Sequence, residues 1–172
     1  MRLTFAHYFL LARRPLYRAS LAGLIVLLAG CAASGPTFKD EPTPSRDTSL
    51  VYIYRPYASN LGLVTAAFAV DGKTVAELSP GGYEAISLSP GEHEIVQTWI
   101  TTLPGSYKEM KEPLKTRVRL RPGATHYVQF QVATESRPYV TRISWKLGEV
   151  NAIEGRTAIT ETRRQSVKAL SN

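Results

Sequence analysis

The chain of 172 residues contains a single cysteine, Cys31. One cysteine cannot form an intramolecular disulfide, so the fold has to be stabilised by its hydrophobic core. Acidic residues are missing from one part of the chain: residues 1–30 hold four basic residues and no acidic residue. The formal net charge of +7 is therefore concentrated at the N-terminus, and the rest of the chain is too weakly basic to favour nucleic-acid binding.

Long apolar runs are also missing, since a bilayer-spanning helix needs about 20 apolar residues. Residues 19–30, "ASLAGLIVLLAG", form a shorter apolar segment behind a basic segment over 1–18. This arrangement is typical of a secretory signal peptide over residues 1–30. The small residues Ala29 and Gly30 stand directly before Cys31, where a signal peptidase tolerates little side-chain bulk.

Leu28-Ala29-Gly30-Cys31 resembles a bacterial lipobox. The resemblance implies cleavage between Gly30 and Cys31, a diacylglyceryl group on the Cys31 sulfur and acylation, as by palmitate, of the new amine. Two or more chains are needed because one chain anchors only marginally, at about 0.8 kcal/mol per buried methylene. Ala32 implies sorting to the outer membrane, with the domain facing the periplasm. The alternative is a plain signal peptide or signal anchor with an incidental cysteine.

Composition divides the exported chain into three parts. Residues 31–48 are rich in Pro, Ser, Thr and charge, which predicts a flexible tether that could reach on the order of 50 Å. Residues 49–148 alternate strand-forming segments with turn signals and predict one β-domain. Residues 149–172 form a tail in which a short helix around 158–168 is one option. The pair Arg13-Arg14 leaves twin-arginine export open beside general secretion.

Turn signals recur at roughly 8–12-residue spacing within residues 49–148, which predicts a β-sandwich or an open barrel. Asp71-Gly72 is a strong hairpin signal because glycine accepts a positive φ. Pro90-Gly91 and Pro122-Gly123 repeat the device with proline fixing the first φ of the turn. About seven or eight strands are expected, enough to enclose a single core.

The stretches "VYIYRP", "AVDGKTVAELSPGGYEAISLSPGEHEI" and "VRLRPGATHYVQF" resemble an uncharacterised group of bacterial lipoproteins, classed as a domain of unknown function. That group is similar to PEGA-type repeats, whose Pro-Gly-x-His hairpin corresponds to Leu88–Ile95. The resemblance covers residues 49–148 and the lipobox. It implies an all-β, Ig-like or transthyretin-like sandwich on a lipid tether, and it implies no catalytic residue.

One charge pattern is regular: four basic residues alternate with mainly apolar ones, so that in a strand they share one face. They are Lys115, Arg117, Arg119 and Arg121. They form either a solvated outer face that discourages edge pairing or a docking stripe for an anionic polymer, lipid phosphates or an acidic protein. Arg142 and Lys146 are candidates to extend the stripe.

The longest interior loop, residues 101–113, is the favoured place for contact with an envelope protein partner, because loops on rigid scaffolds often carry binding function. Its candidate contact residues are Tyr107, Lys108, Met110 and Lys111. Tyr52 and Tyr54 share one face of the first strand and either line a glycan- or peptide-binding surface or belong to the edge of the core.

The remaining patterns argue against an enzyme and against a metal or cofactor. Glu92 and Glu94 point to the opposite face from His93 in a strand, so the three cannot converge on one ion. His93 and His126 are expected to pack beside strands and cap turns. The sequence therefore predicts a lipid-anchored, periplasm-facing, non-enzymatic protein-binding or envelope-assembly module. The alternative is a binder or sensor of anionic envelope polymer or lipid through the basic strand.

Overall fold

The computed structural model describes residues 33–57, 64–100 and 112–165. All of them belong to one compact unit that begins after Cys31. The described residues form nine strands and one helix. In chain order these are β1 Ser49–Arg55, β2 Thr65–Val70, β3 Lys73–Leu78, β4 Gly82–Leu88, β5 Gly91–Ile100, β6 Leu114–Leu120, β7 Thr125–Arg137, β8 Val140–Val150, α1 Ala152–Ile159 and β9 Arg163–Arg164.

The strands form two sheets packed face to face. The first sheet has the order β8-β7-β1-β4-β9 and the second has the order β3-β2-β5-β6. Neighbouring strands are antiparallel, except that β7 runs parallel to β1 and β9 runs parallel to β4. The predicted all-β sandwich is confirmed. The described strands outnumber the expected seven or eight because β9 lies in the predicted tail and extends the first sheet.

The predicted turn between β2 and β3 has the backbone that its sequence favours. Asp71 has a φ of 49° and Gly72 a φ of 83°, so both central residues of the hairpin are in the left-handed region. Such a type I′ turn matches the right-handed twist of the two strands. Asp71 also accepts a hydrogen bond of 3.0 Å from the Glu94 amide, which ties this turn to β5.

The main core lies between the sheets and is built from every second residue of the long strands. The rings of Phe68 and Phe130 meet edge to face at 5.7 Å, which joins the second sheet to the first. Trp99 packs 5.3 Å from Phe130 and 6.4 Å from Trp145, so the core continues to the end of β5 and the middle of β8. Its fully buried members include Val51, Ile53, Ala66, Phe68, Ala76, Leu78, Ile95, Val128 and Phe130.

A second apolar cluster covers the outer face of the first sheet. Tyr52 and Tyr83 are buried there, and the ring of Phe38 packs edge-on against both, at 5.5 and 5.3 Å. Tyr127 stacks on Tyr52 at 5.4 Å, and Ile159 of α1 completes the cluster. Strand β1 is therefore buried along its whole length, with one face in each cluster.

The segment before β1 differs from the flexible tether expected over residues 31–48. From Ala33 onward it lies against the first sheet: the Phe38 amide donates to the Thr162 carbonyl at 3.0 Å. Asp40 pairs with Arg156 at 2.7 Å. The expectation of a tether is corrected for residues 33–48, because the tyrosine cluster gives Phe38 an apolar site and the C-terminal part of the chain supplies cations. Cys31 lies outside the described residues.

The helix in the C-terminal part of the chain begins earlier than the range around 158–168 that the sequence favoured. It spans Ala152–Ile159, and the Asn151 side chain caps it by accepting a 2.9 Å hydrogen bond from the Glu154 amide. Gly155 allows the helix to approach β7, since a Cβ at this position would lie 2.4 Å from the Tyr127 Cβ. The position of the helix is thus set by its cap and by this close contact. No helix among the described residues is long and apolar enough to span a bilayer.

Candidate functional site: the Pro80 end and the basic edge strand

One end of the sandwich receives the N-terminal segment. Strands β1 and β3 finish at this end and β4 begins there, and the tight turn before β4 contains Pro80; we call it the Pro80 end. The Ala33 amide donates a 3.1 Å hydrogen bond to the Pro80 carbonyl, and Ala33 is buried. The chain then runs along the first sheet toward the opposite end, where the Ser45 and Pro44 carbonyls lie near Gly123.

This path fixes the chain to the folded domain from Ala33 onward, two positions after the predicted lipid-attachment residue. Gly30 and Cys31 lie outside the described residues, but Cys31 precedes the fixed Ala33 by two positions. Residues 33–48 are therefore docked on the first sheet and do not provide the reach on the order of 50 Å that a tether over residues 31–48 would allow.

A buried arginine closes the core at the Pro80 end. Arg55 is fully buried, and its guanidinium donates to the Val64 carbonyl at 2.5 Å and to the Leu78 carbonyl at 3.2 Å. It also lies 5.6 Å above the Trp99 ring. Burial lowers the pKa of Arg55 to about 10, which leaves it charged at neutral pH. The sequence analysis did not single out Arg55. The only sign of it in the sequence is a charged residue at the end of the apolar strand "VYIYR".

The basic stripe has the geometry that the alternation predicted. Lys115, Arg117, Arg119 and Arg121 are all exposed, while Val118 and Leu120 between them are buried. Strand β6 pairs with β5 on one side and stands at the edge of its sheet. The four cations therefore share the outer face of an edge strand.

Acidic residues of β5 stand directly opposite the stripe. Glu92 pairs in register with Arg119, and Glu94 with Arg117. The Glu94 carboxylate also lies 3.9 Å from the Lys115 ammonium. Opposite charges at facing positions of two antiparallel strands attract each other, so part of the positive potential of the stripe is cancelled by its neighbour. The sequence placed Glu92 and Glu94 on one face but did not place that face beside the stripe.

The stripe does not continue onto β8. Leu147 of β8 points into the main core, so Lys146, and Arg142 four residues before it, project from the outer face of the first sheet. The stripe projects from the outer face of the second sheet. The expectation that Arg142 and Lys146 extend the stripe is therefore wrong, because the two sets of side chains point away from each other.

The two histidines in the described part of the chain, His93 and His126, hold turns together. The two ring nitrogens of His93 contact the Asp71 carboxylate at 2.6 Å and the Ser89 carbonyl at 2.9 Å. Both partners are acceptors, so the protonated ring donates to both. Burial by itself would lower the pKa of His93, but the hydrogen bonds and the charge of Asp71 raise it above the ordinary 6.5. Among the described residues no group of three or more potential ligands is placed to hold a metal ion.

The second histidine, His126, is buried in the first sheet. Its Nε2 accepts a 3.0 Å hydrogen bond from the Arg121 amide, and its Nδ1 lies 2.7 Å from the Glu149 carboxylate. The expected structural role of both histidines, packing beside strands and fixing turns, agrees with these contacts. Each has its ring nitrogens engaged with neighbours inside the fold.

The aromatic candidates separate into buried and exposed groups. Tyr52 and Tyr54 are buried, so they do not line an exposed binding surface. The Tyr52 hydroxyl accepts a 2.8 Å hydrogen bond from the Glu41 amide, as expected for a residue at the edge of the core. The Tyr54 hydroxyl is buried and has no hydrogen-bond partner among the described residues, so the same expectation is wrong for Tyr54. Tyr57 and Tyr139 are exposed. The candidate partner-loop residues lie outside the described residues: Tyr107, Lys108, Met110 and Lys111.

A charge network that joins distant parts of the chain was not visible in the sequence. Arg164 of β9 contacts the buried Glu84 at 3.1 Å and also pairs with Glu41. Residues 41 and 164 meet because β9 pairs with β4 at the edge of the first sheet and the N-terminal segment bridges to β9. No local pattern marks such a pairing, which depends on how the two ends of the domain are brought together.

Comparison with known proteins assigns the chain to no family. A scan against protein-family models gave no match, and no curated protein is significantly similar to the chain in sequence. The resemblance to lipoproteins with PEGA-like hairpins therefore stays a prediction.

Proposed function

We propose that the chain is a lipid-anchored lipoprotein of the bacterial cell envelope, held in the outer membrane and facing the periplasm. Its sandwich acts as a non-enzymatic module that binds another envelope protein or helps to assemble an envelope structure. The observation that carries the proposal is the position of Cys31, which follows an apolar signal-like segment and precedes the folded domain by two residues.

The packing of the polar groups supports binding rather than catalysis. His93, His126 and Glu84 are groups suited to acid–base work, and each is engaged in contacts that hold the fold. The exposed surface is instead organised as sheet faces and strand edges. A rigid sandwich with an open edge strand is a common scaffold for recognition of a second protein.

A second candidate function is favoured by the basic edge strand. The stripe has four exposed cations, and the neighbouring strand β5 places only two carboxylates beside them. The stripe therefore keeps a net positive charge. Such a face could bind or sense an anionic envelope polymer or lipid phosphate, for which the planar guanidinium is well suited. The partial cancellation by Glu92 and Glu94 makes protein binding the first proposal.

Crosslinking in intact cells separates the two candidates. The full chain is compared with Cys31→Ser and with a variant in which Lys115, Arg117, Arg119 and Arg121 are all replaced by Ser. A matched control replaces four exposed cations elsewhere, Lys39, Lys73, Arg142 and Lys146, by Ser. The first proposal predicts one specific protein partner that is lost in Cys31→Ser and kept in both charge variants.

The polymer-binding function predicts a different pattern. Capture of polymer or lipid should be lost in the stripe variant, kept in the control variant and weakened by salt, because exposed charge contacts are screened beyond about 8 Å at physiological ionic strength. A protein partner that is captured equally well by Cys31→Ser would contradict the need for the lipid anchor.

A further inference from the structure

Exposed apolar side chains are concentrated at the Pro80 end of the sandwich. Among the described residues, six large hydrophobic side chains are exposed to solvent: Tyr57, Ile100, Tyr139, Val140, Ile143 and Ile153. Ile153 lies on α1. The other five lie at or just after the ends of β1, β5 and β7, or within the first four residues of β8. Single exposed apolar residues are ordinary, but a group at one end of a domain marks a contact surface.

The β7–β8 hairpin carries three of these residues beyond the body of the first sheet. Strand β1 last pairs with β7 at Gln129, and β7 continues to Arg137 before the turn. Eight more residues of strand extend roughly 26 Å. Because β7 is parallel to β1, this extension points past the end at which β1 finishes, which is the Pro80 end.

The turn at the tip of the hairpin holds a large aromatic residue in an unfavourable backbone conformation. Pro138 and Tyr139 form its two-residue turn, and Tyr139 has a φ of 70°. This position of a proline-initiated turn favours glycine, and a bulky residue there costs on the order of 1 kcal/mol or more. The Tyr139 side chain is fully exposed. Folding therefore gains nothing from this aromatic ring, which points to a contact outside the domain.

The lipid anchor proposed above leaves the domain at the same end but at the other edge of the sheet. Ala33 is bonded to the turn before β4, near β9, whereas the hairpin is formed by β7 and β8. The surface nearest to both is the bilayer that holds the acyl chains of Cys31. Tyrosine is well suited to that surface, since its ring is apolar and its hydroxyl stays at the level of the lipid head groups.

We infer that the β7–β8 tip, Tyr139 and Val140, contacts the lipid bilayer surface as a second point of attachment beside the Cys31 anchor, with Tyr57 close to the surface between them. This inference rests on the proposed lipid anchorage. The tip extends farther than the two-residue link to Cys31, so both touch the bilayer when the sandwich leans away from the hairpin, toward the β9 edge of the first sheet. Two attachment points at opposite sheet edges fix the face that the domain presents to the periplasm.

Site-specific labelling of the lipidated full-length protein tests the inference. Lipidation consumes the thiol of Cys31, so a cysteine introduced elsewhere is the only free thiol. The variants Tyr139→Cys and Tyr57→Cys are labelled with an environment-sensitive fluorophore and placed in vesicles of phosphatidylethanolamine and phosphatidylglycerol. Lys73→Cys is the matched control, since Lys73 is exposed and begins β3 next to the β2–β3 turn, at the opposite end. Lipids with a nitroxide near the head group serve as quenchers.

The expected result is a blue shift and loss of emission for the label at 139, a smaller loss at 57 and no change at 73. Equal quenching at 139 and 73, or no quenching at 139 and 57, would overturn the inference. Mass spectrometry of the same samples reports whether Cys31 is lipidated. A lipidated protein without quenching at the tip overturns this inference alone, whereas an unlipidated protein overturns the proposed anchorage and the inference with it.

Discussion

The backbone amide of Ala33 donates a 3.1 Å hydrogen bond to the carbonyl of Pro80, which fixes the start of the described chain to one end of the sandwich. The segment that follows packs over the outer face of the first sheet instead of separating the domain from its N-terminus. An anchor on Cys31 would therefore hold the domain directly at the membrane.

Phe38 is the apolar contact that holds the N-terminal segment in place. Its ring packs edge-on against Tyr52 and Tyr83. Phe38→Ala should lower the free energy of unfolding by about 1–3 kcal/mol, less than a fully buried Phe because the ring is half-buried. Urea denaturation measures the loss, and limited proteolysis should show faster cleavage within residues 33–48. The neighbouring exposed Lys39→Ala is the control; equal effects of both changes would argue that the segment is not docked through Phe38.

Gly155 allows α1 to lie against β7. A Cβ at this position would lie 2.4 Å from the Tyr127 Cβ, so Gly155→Ala should destabilise the protein by about 1–3 kcal/mol through overpacking. Gly148→Ala is the matched control, because its Cβ would meet no atom within 4 Å and a glycine in a strand is itself unfavourable. The midpoint of thermal unfolding should fall for the first variant and stay or rise for the second. A stable Gly155→Ala protein would mean that the helix packs differently.

Arg164 neutralises the buried Glu84. Removing the guanidinium leaves a carboxylate that is 7% exposed without this cation, so Arg164→Ala should cost about 1–3 kcal/mol of stability. Arg163 is the adjacent residue of β9 and is exposed, so Arg163→Ala should change stability by less than about 0.5 kcal/mol. Chemical denaturation of the two variants gives the comparison. Similar small losses for both would show that Glu84 does not need the cation.

The ion pair of His93 and Asp71 makes stability depend on pH. The pKa of His93 is raised in the folded protein, so its contribution is complete below the unfolded value near 6.5 and is lost as the pH rises through the folded value. Hydrogen bonds from the Glu94 amide and His93 lower the pKa of Asp71, so its contribution is complete above 3.8 and is lost at lower pH. The pair stabilises most between these values.

The comparison of His93→Gln with the unchanged protein should therefore show a larger loss of stability at pH 5.5 than at pH 8.5. The difference should be below about 1 kcal/mol, because Asp71 is half exposed and solvent weakens the pair. Denaturation curves at the two pH values measure it. The same loss at both values would show that the histidine acts only as a neutral partner.

The local features of the fold could be predicted from the sequence because they depend on neighbouring residues. Asp71-Gly72 specified a turn that needs two positive φ angles, and the alternation from Lys115 to Arg121 specified which side chains of β6 are exposed. Tyr52 and Tyr54 were placed on one face of β1, as they are. In each case a period of two residues or a single turn carried the information.

The parts that could not be predicted depend on pairs of residues far apart in the chain. Thr37 bridges to Arg163, and the Phe38 amide bonds to Thr162, so proline-rich chain that reads as a tether becomes part of the domain. The opposition of Glu92 and Arg119 across β5 and β6 required the strand register. The composition of residues 33–48 indicates that this segment would be flexible in isolation. It does not indicate that the rest of the chain forms a surface to which the segment binds.

The central claim is that lipid on Cys31 anchors the domain directly at the membrane. The most direct test is the intact mass of the mature protein extracted from bacterial envelopes. The account predicts a chain that begins at Cys31, carries a diacylglyceryl group on its sulfur and an acyl group on its amine, and is absent in Cys31→Ser. A mature chain with a free Cys31 thiol, or one that begins at another residue, would contradict it.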